Sequence, residues 1–391
     1  MVDINLIGDK YLDEVVTLRE LIHMYPEDGF LEFKTSQMVA DVLEGLGLEV
    51  TKNVAKTGVV GLLKGKYEGK TILLRADMDA LKLEELADVP YKSKVKGMMH
   101  ACAHDGHTAG LLGAAMILSE LKDELHGNVK LIFQPAEEEK GGALPMIQEG
   151  VLDNPKVDIA VGAHLWGSEK AGEIHVKEGA MMASPTIFTI KVIGKGGHCA
   201  MPHQTIDPTI ITAQIINNLQ SVVSRMSNPL EPVVLSIGQI HAGHCFNVIP
   251  NEVFVEGSVR IFDENTAKRV EEQMESIIKG ITEAYGAEYE FNFRVIYPPV
   301  INNGEIVNLV KSSTTKILGE EKVFNLQEPS MGGEDFSYFG HHVPSAFFFL
   351  GIGESKENPT IHHNPYFNWD SKITLKLSKC MAQIAYDYLQ N

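Results

Sequence analysis

The chain has 391 residues, with 34 Lys and Arg against 52 Asp and Glu, for a net charge of −18. That acidity excludes a general binder of phosphate backbones, and 44% apolar with 22% charged residues is the composition of an ordinary globular protein. The length exceeds what one core usually holds, so two domains are expected.

In chain order, Leu12, Val15, Val16 and Ile22 recur at helical spacing, predicting a helix over 11–25 that Pro26 ends. Val39, Val42, Leu43 and Leu46 share one face of a second helix over 33–46. Residues 59–64 and 71–76 read as strands. The Gly-rich stretch between them mimics a phosphate-binding loop. It has one residue too few between Gly65 and Gly69 and precedes its strand, so the expectation is a hairpin turn. Apolar runs at 71–76, 128–134 and 157–163 alternate with helical stretches, as in an α/β fold whose mostly parallel sheet is covered by helices on both faces. Each run ends in polar residues: Asp77, then Glu137 and Glu138, then His164. Ligands bind at that edge of open α/β sheets, so these residues are expected along one rim.

Between the first two runs lies Met99-His100-Ala101-Cys102-Ala103-His104-Asp105-Gly106-His107, followed by an apolar helical pattern from Leu111 to Leu121. Cys102 and His104 are two apart, so an extended backbone would send both side chains to one side. A thiolate beside an imidazole suits a borderline-soft divalent cation.

From Ser184 the pattern changes. Strands at 186–193, 232–241, 252–262 and 288–295 enclose two helices, one opened by Asp207-Pro208 and one over 266–285. The order β-α-β-β-α-β is that of a ferredoxin-like α+β unit. Site-type sequence resumes afterwards, with a helix over 302–318, a strand over 345–351 and a helix over 372–389. The expected division is one domain of 1–183 and 297–391, with a second domain of 184–296 inserted in it.

The cysteines Cys102, Cys199, Cys245 and Cys380 are far apart and form no Cys-x-x-Cys pair, which fits a reduced, cytoplasmic setting. The N-terminus has no basic region followed by an apolar run, and no apolar stretch approaches the ~20 residues that span a bilayer. No membrane or nucleic-acid partner is expected. Cys199 and Cys245 each follow a histidine and are read as structural thiols. Trp166 and Phe348 are read as core or pocket wall, and His241 and His244 as a surface turn.

Four clusters carry the chemistry: Cys102 with His104; Glu137 with Glu138; His164; and His362-His363-Asn364-Pro365. Together they offer a thiolate, imidazoles and a carboxylate for two divalent ions, with a spare carboxylate for general-base work. The motifs Arg75-Ala76-Asp77-Met78-Asp79-Ala80-Leu81, His100-Ala101-Cys102-Ala103-His104-Asp105-Gly106-His107, Gln134-Pro135-Ala136-Glu137-Glu138, Gly194-Lys195-Gly196-Gly197-His198, Asn247-Val248-Ile249-Pro250 and Gly332-Gly333-Glu334-Asp335-Phe336 resemble those of the M20 metallopeptidase/amidohydrolase family. Within it they resemble the N-acyl-amino-acid amidohydrolases: aminoacylases, hippurate hydrolases and auxin-conjugate hydrolases. The resemblance spans nearly the whole chain.

It implies metal ligands at Cys102, His104, Glu138, His164 and one histidine of the terminal pair, where His363 aligns better than His362. It implies Glu137 as the general base acting on metal-activated water, His198 as an oxyanion-binding residue offered to a partner subunit, and Asn247 and Arg260 at the substrate carboxylate or oxyanion. The resemblance makes 1–183 and 297–391 a two-metal hydrolase domain and 184–296 a lid and dimerisation domain. The cofactors implied are two divalent metal ions, Zn, Mn, Co or Ni, and the implied assembly is a homodimer through the lid. Asp77 and Asp105 are expected to orient ligands; Asp79 has no assigned role. Two departures stand out: Ala103 replaces the usual Gly between Cys and His, and Lys82 replaces the Pro after Asp-Ala-Leu. The expected activity is hydrolysis of N-acylated amino acids. The alternatives are a dipeptidase of the same chemistry and a binding protein that kept the fold without catalysis.

Overall fold

The structure, a computed structural model, describes residues 2–138, 140–355 and 357–390. Glu139 of the acidic run therefore lies outside the described residues. The chain divides into two compact units: Met1–Met181 with Ile301–Pro329 and Asp335–Asn391, and Met182–Val300 with Ser330–Glu334.

The first unit is built on an 8-stranded sheet. Its middle holds His126–Gln134, Tyr67–Asp77, Ile159–Lys170 and Ser345–Gly353, each parallel to the next. These strands are buried for most of their length, as expected of a parallel sheet covered on both faces. The strands Gly58–Lys64 and Glu49–Val54 extend one side antiparallel. Ile174–Val176 and Val323–Asn325 extend the other.

The expected hairpin at Gly65 is not one. His126–Gln134 lies between Gly58–Lys64 and Tyr67–Asp77 in the sheet. The Gly65 N–H donates to the Gly127 carbonyl (2.9 Å) and the Tyr67 N–H to that of Leu125 (3.2 Å). Local sequence marked a turn correctly, but the later strand takes the space between its arms.

The helix His104–Glu120 is buried almost all round. It packs against the C-terminal helix Ile373–Leu389 so closely that a Cβ on Gly113 would meet Ser378 Oγ at 2.3 Å. Helix Leu12–Met24 turns Val15, Arg19, Ile22 and His23 inward. This spacing puts two ionisable groups on its buried face. The Arg19 guanidinium sits between the Tyr91 and Trp369 rings and 2.9 Å from Asp105.

The second unit has a 4-stranded antiparallel sheet. Its order is Val234–Ala242, Glu252–Ile261, Ser184–Ile193, Glu288–Val295, the ferredoxin-like arrangement of two interleaved βαβ units. Phe188, Ile190 and Val192 alternate inward from the third of these strands. They meet Ile211, Ile215 and Leu219 of helix Pro208–Ser221 and Val270, Met274 and Ile278 of helix Glu264–Tyr285. Asp207 caps the first helix and Asp263 the second, each accepting a main-chain N–H. Ser330–Glu334 joins this unit through the Ala183 N–H, which donates to the carbonyls of Ser330 (2.9 Å) and Gly332 (3.0 Å). Among the described residues, no helix is long and apolar enough to cross a membrane.

Candidate metal centre

Two sequence expectations about the Cys102 loop change here. The backbone between Cys102 and His104 is not extended: Ala103 is left-handed (φ 67°, ψ 17°), and His104 is already the first residue of its helix. The helix therefore begins seven positions before the apolar pattern at Leu111, inside the histidine motif itself. His164 does not end a strand either; it lies midway along Ile159–Lys170, opposite Phe349.

The side chains nonetheless converge. Cys102 Sγ is 3.5 Å from His164 Nε2 and 3.4 Å from His363 Nε2. Glu138 Oε1 is 3.3 Å from His363 Nε2 and 3.8 Å from His104 Nε2. Ligand-type atoms fall into overlapping groups within 4.8 Å of one another: Cys102, His104 and His164; Cys102, Glu138 and His363; His104, Glu137 and Glu138. Cys102, His104 and Glu138 are each shared between two of these groups, an overlap that suits a pair of adjacent cations.

The remaining ring nitrogens are already used in ways that leave the right one free. His104 Nδ1 donates to the Asp79 carbonyl (2.9 Å) and His164 Nδ1 to that of Leu165 (2.9 Å), so each Nε2 faces the cluster. Asp79 thus gains a role, since its carboxylate also accepts the Glu138 N–H (3.1 Å). Of the terminal pair, His363 reaches the cluster. His362 instead accepts the Gly167 N–H (2.8 Å) and packs against Trp166 and Phe367.

Asp77 bonds His107 Nδ1 (2.6 Å) and lies 3.7 Å from His104 Nε2. Asp105 points away from the cluster, to Arg19 and to His23 Nδ1 (2.7 Å), and so orients the helix start rather than a cluster histidine.

Electrostatics tests whether cations fit. His104 Nε2 and Glu138 Oε1 are buried and make no hydrogen bond among the described residues. Burial would depress His104, but the Asp77, Asp79 and Glu138 carboxylates override it and raise the imidazole to about 10. Burial, then Glu138 and Glu137, push the Cys102 thiol well above its ordinary value. Burial holds His164 neutral, well below its ordinary range. A neutral imidazole, a thiol crowded by acids and an orphaned carboxylate together need positive charge, and the proton drawn onto His104 marks where it is needed. A divalent cation supplies that charge and displaces the thiol proton. The donor set fits a divalent metal pair.

Local backbone strain is present at this cluster. Ala103 (φ 67°), Ala136 (φ 55°) and His363 (φ 55°) are all left-handed without being glycine. Such residues cost about 1–3 kcal/mol each and persist where the surroundings hold them. Ala103 keeps the conformation glycine would supply, so the departure from the family pattern leaves the loop in place. Ala103→Gly relieves about 1–2 kcal/mol of left-handed strain but gives up roughly 0.8 kcal/mol of methyl burial and about 0.5–1 kcal/mol of unfolded-chain entropy. Thermal melting should find its stability within about 1 kcal/mol of wild type, with cation binding intact. Ala103→Val, β-branched at positive φ in a fully buried site, should cost more than about 2 kcal/mol and abolish cation uptake.

The other expected site residues lie in the second unit. His198 pairs with Val248 across the two-stranded ribbon of Gly197–His198 and Val248–Ile249 and is exposed. Asn247 precedes that ribbon strand and accepts from Cys245 Sγ (2.9 Å) through Oδ1 and from the Cys199 N–H (3.2 Å) through its carbonyl. Arg260 sits on Glu252–Ile261, opposite Val234 and Pro185. Cys199 and Cys245 are both exposed. The sequence reading missed Arg75, Gln134 and Asp335 as a buried hydrogen-bonded group beneath the cluster. Their only sequence signal was that each stands inside one of the motifs.

A mostly parallel α/β sheet with a thiol, imidazoles and carboxylates clustered on one unit defines a metal-dependent hydrolase. Residues 73–387 match the pattern of Peptidase family M20/M25/M40. The chain is 48% identical over 304 residues to an N-acyl-L-amino acid amidohydrolase of Geobacillus stearothermophilus, covering 78% of this chain and 82% of that one. It is 43% identical over 349 residues to thermostable carboxypeptidase 1 of Saccharolobus solfataricus, covering 88% and 87%. Among solved structures, the Bacillus subtilis YXEP protein, described as a dinuclear metal binding peptidase from the M20 family, superposes with a TM-score of 0.85 at 34% identity, covering 98% and 99%. The chain belongs to peptidase family M20/M25/M40 and is a hydrolase of amide bonds.

Proposed function

We propose that the protein hydrolyses the amide of N-acylated amino acids, releasing a carboxylate and a free amino acid, with Glu137 as general base. The observation that carries the reading is the pair of orphaned buried atoms, His104 Nε2 and Glu138 Oε1, beside the Cys102 thiol, with Glu137 next in the chain and 6% exposed. In this reading Cys102, His104, Glu138, His164 and His363 hold two divalent cations. When bound, the cations polarise the amide carbonyl and acidify a water. Glu137 accepts the proton from that water and later returns it to the departing amine nitrogen. His198 is offered to the developing oxyanion in the partner subunit's site, and Asn247 and Arg260 meet the substrate carboxylate or the oxyanion. Zn, Mn, Co and Ni all suit a mixed sulfur, nitrogen and oxygen donor set. The assembly proposed is a homodimer in the cytoplasm.

The similarity to an amidohydrolase and to a carboxypeptidase supports one shared feature, an amide whose amine half is an amino acid. The second reading is therefore a peptidase using the same residues. The test adds Zn, Mn, Co or Ni back to metal-free protein and measures amino acid release from N-acetyl, N-benzoyl and indole-acyl amino acids and from dipeptides. Higher kcat/KM on the acylated series is the expected result. Preference for dipeptides favours the peptidase, and cation binding without turnover on any substrate makes it a binding protein.

A further inference from the structure

Glu137 and Glu138 stand on a loop that leaves the sheet after Gln134, the last residue of His126–Gln134, and ends where Ala143 begins the helix Ala143–Gln148. Both ends of that loop are held by one carboxylate from 201 positions beyond Gln134. Asp335 Oδ1 accepts from Gln134 Nε2 (2.7 Å) and Arg75 Nη2 (3.0 Å). Asp335 Oδ2 accepts from the same Gln134 nitrogen (2.9 Å) and from the Ala143 main-chain N–H (2.9 Å). Asp335 is 0% exposed, so no water competes for these bonds.

The loop closes tightly at its base: a Cβ on Gly142 would fall 1.8 Å from the Pro135 carbonyl oxygen, a position only glycine can occupy. Inside the loop, Ala136 is left-handed, and its N–H reaches Glu32 Oε1 (2.9 Å). The same guanidinium that meets Asp335 donates from Nη1 to Asp77 Oδ2 (2.8 Å) and from Nε to Gln134 Oε1 (2.9 Å). The carboxylate that pins the loop is thus tied to the aspartate that holds His107.

We propose that Asp335 is a positioning residue: it clasps the acid loop at both ends and sets Glu137 and Glu138 against Asp77 and the cluster histidines. The proposal rests on the reading of Glu137 as base and Glu138 as ligand. Without the clasp, Ala136 relaxes to an ordinary backbone conformation and both glutamates swing with it. A displacement of about 1 Å at such groups costs on the order of 100-fold in rate.

Asp335→Asn in the full chain is the test, because it keeps the volume and turns an acceptor facing Gln134 Nε2 into a competing donor. In metal-free protein, amide hydrogen exchange should speed at least about tenfold within 136–138 and 140–142 and stay unchanged in the central strands. In cobalt-loaded protein the thiolate and ligand-field absorption bands should shift. On an N-acetyl amino acid, kcat should fall about 100-fold with KM within about threefold. Gln134→Leu, which removes the middle of the clasp without changing charge, should move the same readouts in the same direction, and it carries the test if Asp335→Asn does not fold. Exchange, spectrum and kcat all within twofold of wild type overturn the proposal, as does faster exchange spread evenly through the unit. Failure of the underlying reading looks different: the wild type itself takes up no cobalt or does not turn over, while the exchange measurement still reports on the clasp.

Discussion

Glu137→Gln protein is expected to bind its cations as wild type does and to lose turnover by ~10²–10⁴-fold, the usual cost of removing a general base. The substitution keeps the shape of the side chain and removes only its capacity to accept a proton. Glu137 is one bond from Glu138 in sequence, yet the two are held differently. The Glu138 N–H is fixed by Asp79, and its Oε1 faces His104 and His363. Glu137 joins only one of the groups that share Glu138, the one with His104. The measurement is metal content per chain alongside kcat on an N-acyl amino acid. Unchanged kcat at matched metal content would remove Glu137 from the chemistry.

Cys102→Ala is expected to lose most of the bound metal. The sulfur is the atom that both His164 and His363 approach, at 3.5 and 3.4 Å, so its loss opens both halves of the cluster at once. The wild-type protein at a free cation concentration 100 times its dissociation constant should gain about 2.7 kcal/mol of stability over its metal-free form, and the variant should gain almost none. Thermal melts with and without added cation read this directly. Glu138→Ala should behave similarly, because Glu138, like Cys102, belongs to two of the groups. An unchanged metal-dependent rise in melting temperature in Cys102→Ala would exclude the sulfur as a ligand.

Much of this site is legible in local sequence because its residues come as short motifs at the ends of predictable elements. Asp77 closes its strand, and Glu137 and Glu138 follow Gln134, which pairs with Asp77 in the sheet register. The errors are equally local in origin. The Gly65 turn reads as a hairpin in sequence because chain adjacency says nothing about His126–Gln134 entering between its arms. The Cys102–His104 spacing was read as extended because a left-handed alanine has no sequence mark.

What the sequence determined by itself is the kind of chemistry and the kind of fold. Periodicity fixes which runs become strands or helices, and residue type fixes which groups bind protons or cations. Tertiary structure alone decided which nitrogen of each histidine faces the cluster, that His362 turns to the Gly167 N–H, and that Asp335 grips both ends of the acid loop. Those outcomes depend on distances of about 3 Å between groups far apart in the chain. Side-chain direction at that scale is set by packing, which no single stretch of sequence contains.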